Sequence, residues 1–209
     1  MKCPVCNAPE ARQLAYVDGK AYLRCEVCVA TFLDPNEFVS RNAEYEHYRT
    51  HHNDVADLGY RTFLSRLAVP LIDRMPPSQC GLDYGCGPGP ALAAILRDAG
   101  HEVDVYDPFF APDEAVLGAT YDFVTCSEVV EHFHRPAEEF AKIDRLLNPN
   151  GWFGVMTAFQ PDDADFANWY YRKDPTHVVF YGSETFQKIS DTFGWTCEFP
   201  RDDVVILSK

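Results

Sequence analysis

Positive charge is scarce in this chain of 209 residues, which has 18 Lys and Arg against 32 Asp and Glu and a formal net charge of −14. Phosphate backbones are bound by clustered Lys and Arg, so this balance argues against a nucleic-acid partner. The sequence also lacks an apolar run near the ~20 residues that a membrane helix needs, and no signal sequence precedes its first cysteines. We therefore expect a cytoplasmic chain without membrane contact, whose substrate is a small molecule or a protein.

The glycine turn at residues 85–89 lacks the third glycine of a dinucleotide fingerprint. That fingerprint has the form G-x-G-x-x-G, and Pro90 stands at the place of its last glycine. The sequence therefore disfavours a nucleotide-sugar or NAD oxidoreductase. Gly85, Gly87 and Gly89 still allow the backbone to approach a ligand with no Cβ in the way, and the free N–H groups at the start of the next helix attract an anionic group.

Two carboxylates accompany this turn. Asp83 lies in the strand before Gly85, where it could attract the positively charged end of a ligand. Asp107 follows about 20 residues later, at the expected end of the second strand, where a carboxylate can accept hydrogen bonds from both hydroxyls of a ribose. S-adenosylmethionine combines a ribose with such a charged end, because it carries an ammonium and a sulfonium.

At this point the chain resembles the class I S-adenosylmethionine-dependent methyltransferases, of a small bacterial type with an N-terminal zinc ribbon. Their first motif reads hydrophobic-Asp-x-Gly-Cys-Gly-x-Gly and is matched by Leu82 to Gly89, and the resemblance covers residues 45–209. It implies an α/β, Rossmann-like, mostly parallel sheet of seven strands with helices on both faces. It also implies S-adenosylmethionine as cofactor, bound by Asp83, Gly85, Cys86, Gly87, Gly89, Asp107, Pro108, Ser127 and Glu128.

The segment after Asp107 is short for the third strand of this family. Only a dozen residues, Phe109 to Thr120, precede the next predicted strand, so we expect a shortened sheet. Asp113 and Glu114 are the candidates there for the acidic residue that the family uses on the adenine amino group.

Strand and helix patterns alternate through the rest of the chain. Apolar residues from Tyr60 to Ile72 recur at helical spacing, and further helices are predicted over Ala91–Ala99, Pro136–Leu147 and from Ser183 to Gly194. We predict strands over Glu102–Tyr106, Asp122–Cys126, Trp152–Thr157, Trp195–Phe199 and Val204–Ser208. The connection between the last two strands is short, which makes them antiparallel and gives the sheet one reversed strand.

Four cysteines near the N-terminus have the spacing of a zinc ribbon, as Cys3-x2-Cys6 and Cys25-x2-Cys28. Asp18-Gly19 between them predicts a hairpin turn that brings the two pairs together. About 40 residues cannot bury a sufficient core, so a structural zinc would stabilise residues 1–40. A redox dithiol pair and disulfides are the alternatives. We expect three parts: a zinc ribbon at 1–40, a helical linker packing on the core at 41–78, and the Rossmann-like domain at 79–209.

A Glu-x-x-Glu-His pattern follows the strand that ends at Cys126. If it forms one helical turn, Glu128, Glu131 and His132 share a face and could bind a divalent ion or exchange a proton. The pattern is similar to that of ubiquinone-pathway O-methyltransferases and a group of small-RNA methyltransferases, where it holds such an ion. It also occurs in relatives without metal, and a structural hydrogen-bonding role stays open.

His177 ends a second polar cluster, residues 169–177, where the resemblance implies the acceptor pocket. It is a candidate general base, or it pins the loop to the core. With Glu131 and His132 it completes the catalytic candidates. We predict that His47, His51 and His52 are surface histidines rather than metal ligands. Tyr45 and Tyr48 either cover the cofactor or pack.

These observations predict an S-adenosylmethionine-dependent methyltransferase that transfers a methyl group to a small-molecule acceptor by in-line displacement. The alternative is a cofactor-binding protein without catalysis, whose zinc ribbon docks a protein partner.

Overall fold

The structure is a computed structural model, and it describes residues 1–50 and 53–209. His51 and His52, predicted above as surface histidines, lie outside the described residues. The strands are β1 (Ala11–Val17), β2 (Lys20–Cys25), β3 (Thr31–Leu33), β4 (Cys80–Tyr84), β5 (Glu102–Tyr106), β6 (Tyr121–Ser127), β7 (Leu147–Met156), β8 (Val179–Phe180), β9 (Thr196–Arg201) and β10 (Val204–Ser208). The helices are α1 (Arg41–Tyr48), α2 (Leu58–Ile72), α3 (Ala91–Asp98), α4 (Pro136–Leu146), α5 (Asp163–Phe166) and α6 (Ser183–Phe193).

The central sheet has the strand order β5-β4-β6-β7-β10-β9. Strands β5, β4, β6 and β7 pair in parallel, whereas β10 is antiparallel to both β7 and β9. The predicted hairpin and the single reversed strand are therefore confirmed. The described residues form six strands in this sheet instead of seven, because the segment after β5 contains only a short 3-10 helix, Glu114–Gly118.

Helices cover both faces of this sheet, as the resemblance implied. On one face, α2 and α3 pack their apolar side chains against Phe123 and Met156. On the other face, α4 and α6 contribute Phe140, Ile143 and Phe186 to a second core. Helix α2 begins at Asp57, whose carboxylate accepts a hydrogen bond from the backbone N–H of Tyr60, and it buries residues three and four apart. None of the described helices is both long and apolar enough to span a membrane.

The N-terminal residues form a second, four-stranded sheet with the order β1-β2-β3-β8. Strands β1 and β2 are joined at Asp18 and Gly19, whose φ angles of 53° and 79° fit a tight hairpin turn, so the predicted turn is confirmed. The fourth strand, β8, comes from the C-terminal half of the chain and pairs antiparallel with β3. The N-terminal sheet therefore includes a strand that the sequence placed in the Rossmann-like domain.

Candidate cofactor and acceptor site

A cavity of about 1070 Å³ opens at the carboxyl ends of β4, β5 and β6. In a sheet of parallel strands this is the edge at which ligands bind. The cavity is lined by every residue that the sequence placed on the cofactor: Asp83, Gly85, Cys86, Gly87, Gly89, Asp107, Pro108, Ser127 and Glu128. His132 and His177 line the same cavity. One space therefore joins the predicted cofactor residues to the predicted catalytic histidines.

The glycine turn requires glycine for two separate reasons. Gly85 and Gly87 have φ angles of +83° and +64°, in the left-handed region that side chains disfavour. A Cβ on Gly85 would also lie 2.6 Å from the side chain of Val129. A Cβ on Gly89 would overlap the backbone carbonyl of Asn53. Close packing of the protein's own chain, as well as ligand access, therefore restricts these positions.

Asp83 is buried beneath the turn and is 3% exposed. Its carboxylate accepts a hydrogen bond of 2.9 Å from the hydroxyl of Thr125 on the neighbouring strand. Burial raises the pKa of Asp83 to about 6, since the ionised form has lost most of its water. A cation in the cavity would stabilise the ionised form of this carboxylate.

Asp107 ties the end of β5 to the glycine turn. Its two oxygens accept hydrogen bonds from the backbone N–H groups of Gly87 at 3.1 Å, Phe109 at 2.8 Å and Phe110 at 3.0 Å. Each carboxylate oxygen has two lone pairs, so Oδ1 is fully used by Phe109 and Phe110, whereas Oδ2 retains capacity for one further donor such as a ribose hydroxyl. Asp113, in contrast, accepts from the backbone of Ala115 and caps the 3-10 helix, outside the cavity lining.

Helix α1 lies over the cavity. Tyr45 stacks on Phe109 with ring centroids 5.8 Å apart. The hydroxyl of Tyr48 is 3.2 Å from Nδ1 of His132, and the carboxylate of Glu44 pairs with His134 at 2.7 Å. Tyr48 lines the cavity and is placed where a cover for a bound ligand would be, whereas Tyr45 is outside the lining and packs on Phe109.

The Glu-x-x-Glu-His segment is not the helical turn that the sequence analysis assumed. Glu128 has a left-handed backbone with φ of 54°, and only Val130–His132 is helical, as a short 3-10 helix. The donor atoms of Glu131, His132 and His177 instead lie within 4.8 Å of one another. His177, which the sequence analysis placed in a separate cluster, therefore joins this group, which we call the Glu-His cluster.

Both histidines of the Glu-His cluster have fixed ring orientations. Nδ1 of His132 is 3.1 Å from the carbonyl oxygen of Thr176, and Nδ1 of His177 is 2.8 Å from that of Tyr171. A carbonyl oxygen can only accept, so Nδ1 of His177 carries a proton and its neutral ring has an unprotonated Nε2. Nδ1 of His132 can either donate to the carbonyl of Thr176 or accept from the hydroxyl of Tyr48. Burial, followed by the neighbouring His132, lowers the pKa of His177 and favours that neutral ring.

Tyr171 connects the two glutamates, and the sequence analysis did not single it out. Its hydroxyl is 2.5 Å from Oε1 of Glu131 and 3.1 Å from Oε2 of Glu128. Burial and the neighbouring Glu131 raise the pKa of Glu128 to about 8, so this carboxyl holds a proton at neutral pH. Glu131 is fully buried, and its Oε2 has no hydrogen-bond partner among the described residues.

The four N-terminal cysteines lie together as free thiols. Their sulfur atoms lie within 4.8 Å of one another, and the pairs Cys3–Cys28 and Cys6–Cys25 are 3.6 Å apart. Tetrahedral zinc with bonds of about 2.3 Å sets its sulfurs about 3.8 Å apart. The two pairs also have matching backbone turns. Asn7 donates its N–H to the carbonyl of Cys3, and Val29 donates its N–H to the carbonyl of Cys25. The arrangement fits a tetrahedral metal and is too open for disulfide bonds.

The sheet order, the glycine turn and the cavity at the strand ends define a Rossmann-like α/β protein of the type that holds a nucleoside cofactor at this edge. A family model described as a methyltransferase domain matches residues 30–198. The chain belongs to this methyltransferase domain family.

Two solved structures illustrate the similarity in fold. The 1,6-didemethyltoxoflavin-N1-methyltransferase of Burkholderia thailandensis is 16% identical over 95% of this chain and 99% of that chain, with a TM-score of 0.55. Magnesium protoporphyrin IX methyltransferase from Synechocystis PCC 6803 is 16% identical over 83% of this chain and 96% of that chain, with a TM-score of 0.56. Both contain S-adenosylhomocysteine. Identities this low show a shared fold alone. No curated protein matches the chain.

Proposed function

We propose that this protein transfers a methyl group from S-adenosylmethionine to a small-molecule acceptor. The observation that carries the proposal is the cavity that joins the glycine turn and its two acids to His132 and His177 of the Glu-His cluster, while Glu131 lies buried behind them, outside the cavity lining. Its volume of about 1070 Å³ lies at the upper end of typical ligand pockets, which hold one drug-sized molecule in about 300–1,000 Å³. The cavity therefore has room for an acceptor beside the cofactor. The small-molecule ligand of the Burkholderia thailandensis enzyme is consistent with this choice.

The residues on the cofactor side fit S-adenosylmethionine better than NAD. The buried carboxylate of Asp83 attracts the ammonium and sulfonium, and Oδ2 of Asp107 accepts from a ribose hydroxyl. The hydroxyl of Ser127 is buried without a partner among the described residues, so it is available to a polar ligand atom. S-adenosylmethionine supplies a methyl group that its sulfonium already activates. Holding the acceptor in line with the methyl carbon and sulfur can lower the activation free energy by about 7 kcal/mol or more.

The Glu-His cluster provides the chemistry on the acceptor side. As an acceptor atom bonds to the methyl carbon, the carbon–sulfur bond breaks and its electron pair stays on sulfur. A hydroxyl acceptor loses its proton in this reaction, and an unprotonated ring nitrogen of His132 or His177 can accept it. Tyr171 holds the ring of His177, because its carbonyl oxygen accepts from Nδ1 and its ring packs against the imidazole with centroids 4.1 Å apart.

The same cluster fits a divalent ion. Two imidazole nitrogens and a carboxylate form a donor set that manganese, iron and zinc accept, and the free oxygen of buried Glu131 is an unused donor. As the alternative to proton transfer by a ring nitrogen, we propose that Glu131, His132 and His177 hold such an ion, with Glu128 beside them. The ion would lower the pKa of a bound hydroxyl, which makes it a better nucleophile.

We also propose that Cys3, Cys6, Cys25 and Cys28 bind a zinc ion. Four thiolates occupy every position of a tetrahedral zinc and leave none for substrate, so this zinc has a structural role.

Calorimetry tests the proposed function. We expect S-adenosylhomocysteine to bind and NAD⁺ not to bind, and we expect Mn²⁺ to bind as a separate ligand. Asp107→Ala should weaken the binding of S-adenosylhomocysteine by about 1–3 kcal/mol, because charge-assisted hydrogen bonds are lost. Asp113→Ala removes a nearby acid outside the cavity and should leave the affinity unchanged.

Three results would decide against parts of this proposal. A chain that binds NAD⁺ but no S-adenosylhomocysteine is not the proposed enzyme. Equal affinity in the wild type and Asp107→Ala removes Asp107 from the ribose role. Binding of the donor without methyl loss, in the presence of a metabolite panel and Mn²⁺, favours the cofactor-binding protein instead.

A further inference from the structure

The N-terminal sheet contacts both chain segments that carry the Glu-His cluster. His132 and Glu131 belong to the segment between β6 and α4, and His177 belongs to the loop before β8. Three sets of hydrogen bonds connect these segments to the first 33 residues. Side chains from both parts also form one continuous core, in which Tyr22 packs on Phe166 and Phe180 with ring centroids 5.2 and 6.1 Å apart.

The first connection runs through Val178, the neighbour of His177. Leu33 donates its N–H to the carbonyl of Val178 at 2.9 Å, and Val178 donates its own N–H to the carbonyl of Glu131 at 2.9 Å. The end of β3 is therefore two hydrogen bonds from the backbone of a cluster glutamate. The β3–β8 ladder continues the same contact through the pairs Thr31–Phe180 and Phe32–Val179.

The second connection runs through Gln160 and Tyr181. The side-chain amide of Gln160 donates to the carbonyl of Val29 at 2.6 Å, and its backbone N–H donates to the carbonyl of Tyr181 at 2.8 Å. The hydroxyl of Tyr181 then donates to the carbonyl of Val130 at 2.9 Å, next to Glu131. Tyr181 is fully buried, so water cannot replace this bond.

The third connection starts at the other cysteine pair. Ala137, in the first turn of α4, donates its N–H to the carbonyl of Pro4 at 3.1 Å. Pro4 lies between Cys3 and Cys6, as Val29 lies directly after Cys28. Each cysteine pair therefore contributes one backbone carbonyl to the segments that surround the Glu-His cluster.

We propose that the N-terminal sheet, together with its cysteine site, positions the Glu-His cluster. Tyr181 is the positioning residue, because its hydrogen bond to the carbonyl of Val130 connects the N-terminal sheet to the backbone next to Glu131. This inference rests on the proposed function for the role of the cluster on the acceptor side. The two acids beside the glycine turn are held differently, because Asp83 accepts from Thr125 and Asp107 accepts from the backbone of Gly87, Phe109 and Phe110, none of which belongs to the N-terminal sheet. Loosening the N-terminal sheet therefore acts first on the acceptor side, and Asp83 and Asp107 keep their partners.

Tyr181→Phe tests the connection, because it removes one hydroxyl and keeps the ring. The first readout is hydrogen exchange at the amide of Val178, and the second is the NMR cross-relaxation between the rings of His132 and His177, whose centroids are 4.7 Å apart. We expect exchange at Val178 to become about tenfold faster and the ring signal to weaken, because the local opening free energy falls. The affinity for S-adenosylhomocysteine should stay within about twofold.

Tyr121→Phe is the matched control. Tyr121 is also buried, and its hydroxyl also donates to a backbone carbonyl, that of Val116 at 2.8 Å, at the β5 edge of the sheet. Exchange at Val178 should be unchanged in this variant. An equal acceleration in both variants would mean a general loss of stability and would overturn the proposal, as would an unchanged exchange rate in Tyr181→Phe.

Cys6→Ser tests the role of the cysteine site, since Cys6 is the most exposed of the four thiols. We expect weaker zinc binding together with the same two changes at Val178 and the histidine rings. Zinc loss that leaves both readouts unchanged would overturn the proposal for the metal site. If this variant does not fold, Tyr181→Phe decides alone.

The failure of the proposed function can be told apart from the failure of this inference. If the wild type binds no S-adenosylhomocysteine, the proposed function fails. Hydrogen exchange at Val178 and the signal between the histidine rings still test the connection, with the thermal midpoint of unfolding as the control for folding.

Discussion

Buried acids define the chemistry of the site at the residue scale. Asp83 and Glu128 both have raised pKa values, near 6 and near 8, because burial penalises their ionised forms. They differ in what surrounds them. Asp83 lies beneath the glycine turn beside the hydroxyl of Thr125, whereas Glu128 shares the hydroxyl of Tyr171 with a second glutamate. At neutral pH Asp83 is therefore mostly ionised and can attract a cation, while Glu128 is mostly protonated and can donate a hydrogen bond.

The pKa of Asp83 predicts how cofactor binding depends on pH. Below about pH 6 the carboxyl is protonated and no longer attracts a positively charged ligand. The affinity for S-adenosylhomocysteine, measured by calorimetry, should be about tenfold weaker at pH 5 than at pH 7.5, because only about a tenth of the carboxyl is then ionised. Asp83→Asn should bind weakly at both values. A wild type whose affinity is the same at both would exclude Asp83 from contact with the ligand cation.

The raised pKa of Asp83 also makes the stability of the folded protein depend on pH. The folded protein holds the proton of Asp83 more tightly than the unfolded chain does, because the pKa is raised on folding. The contribution of this group to stability is therefore present below about pH 4 and is lost as the pH rises through about 6.

At the scale of elements, the turn between β4 and α3 combines backbone strain with close packing. Gly85 has a positive φ and would also place a Cβ against Val129, whereas Gly100 after α3 has a φ of +93° and open space around it. Comparing the two glycines therefore separates the effect of a positive φ from the effect of close packing. Gly100 needs glycine for its backbone conformation alone.

Alanine substitutions at these glycines should differ in size. Gly100→Ala should lower the free energy of unfolding by about 1 kcal/mol, the usual cost of a side chain at positive φ. Gly85→Ala should lower it by about 1–3 kcal/mol more, because the added methyl group must displace Val129. Urea denaturation measures both, and calorimetry should show weakened S-adenosylhomocysteine binding in Gly85→Ala alone. Equal losses of stability would mean that Val129 moves aside freely.

At the scale of the whole molecule, the two sheets share one core. The core that contains Cys3, Tyr22 and Phe32 also contains Phe140, Phe153 and Trp195, which belong to the central sheet and its helices. Ion pairs across the boundary reinforce this packing, such as Arg24 with Asp163 at 2.7 Å. A local loss of order near the cysteines therefore affects packing throughout that face of the central sheet.

Zinc removal should consequently destabilise the entire chain. We expect one zinc per chain, and chelation should lower the free energy of unfolding by at least about 3 kcal/mol, because zinc binds only the folded arrangement of thiolates. Unfolding should remain a single transition by circular dichroism and by tryptophan fluorescence. Cys28→Ser should lose the zinc, and Cys80→Ser, at an exposed thiol outside the site, should retain it. Two separate transitions would show that the parts unfold independently.

Local spacing let the sequence predict the residues around the glycine turn that line the cavity, and most elements of the fold. A glycine turn after an acidic strand, a second acid about 20 residues on and two cysteine pairs each depend on residues close in the chain or on regular strand and helix lengths. For the same reason the helices α2, α3, α4 and α6 and the final hairpin were predicted nearly at their observed bounds. The shortness of the segment after Asp107 also indicated the reduced sheet.

Only the tertiary structure brought His177 to Glu131 and His132, and β8 to β3. These contacts join positions far apart in the chain, and whether such residues meet depends on how the intervening helices pack. The spacing of Glu128, Glu131 and His132 predicted one helical turn after β6, and that local rule failed because the left-handed Glu128 and the hydroxyl of Tyr171 orient the two glutamates. The spacing of residues along the chain therefore determined which residues surround the glycine turn, whereas long-range packing decided the composition of the Glu-His cluster and its attachment to the N-terminal sheet.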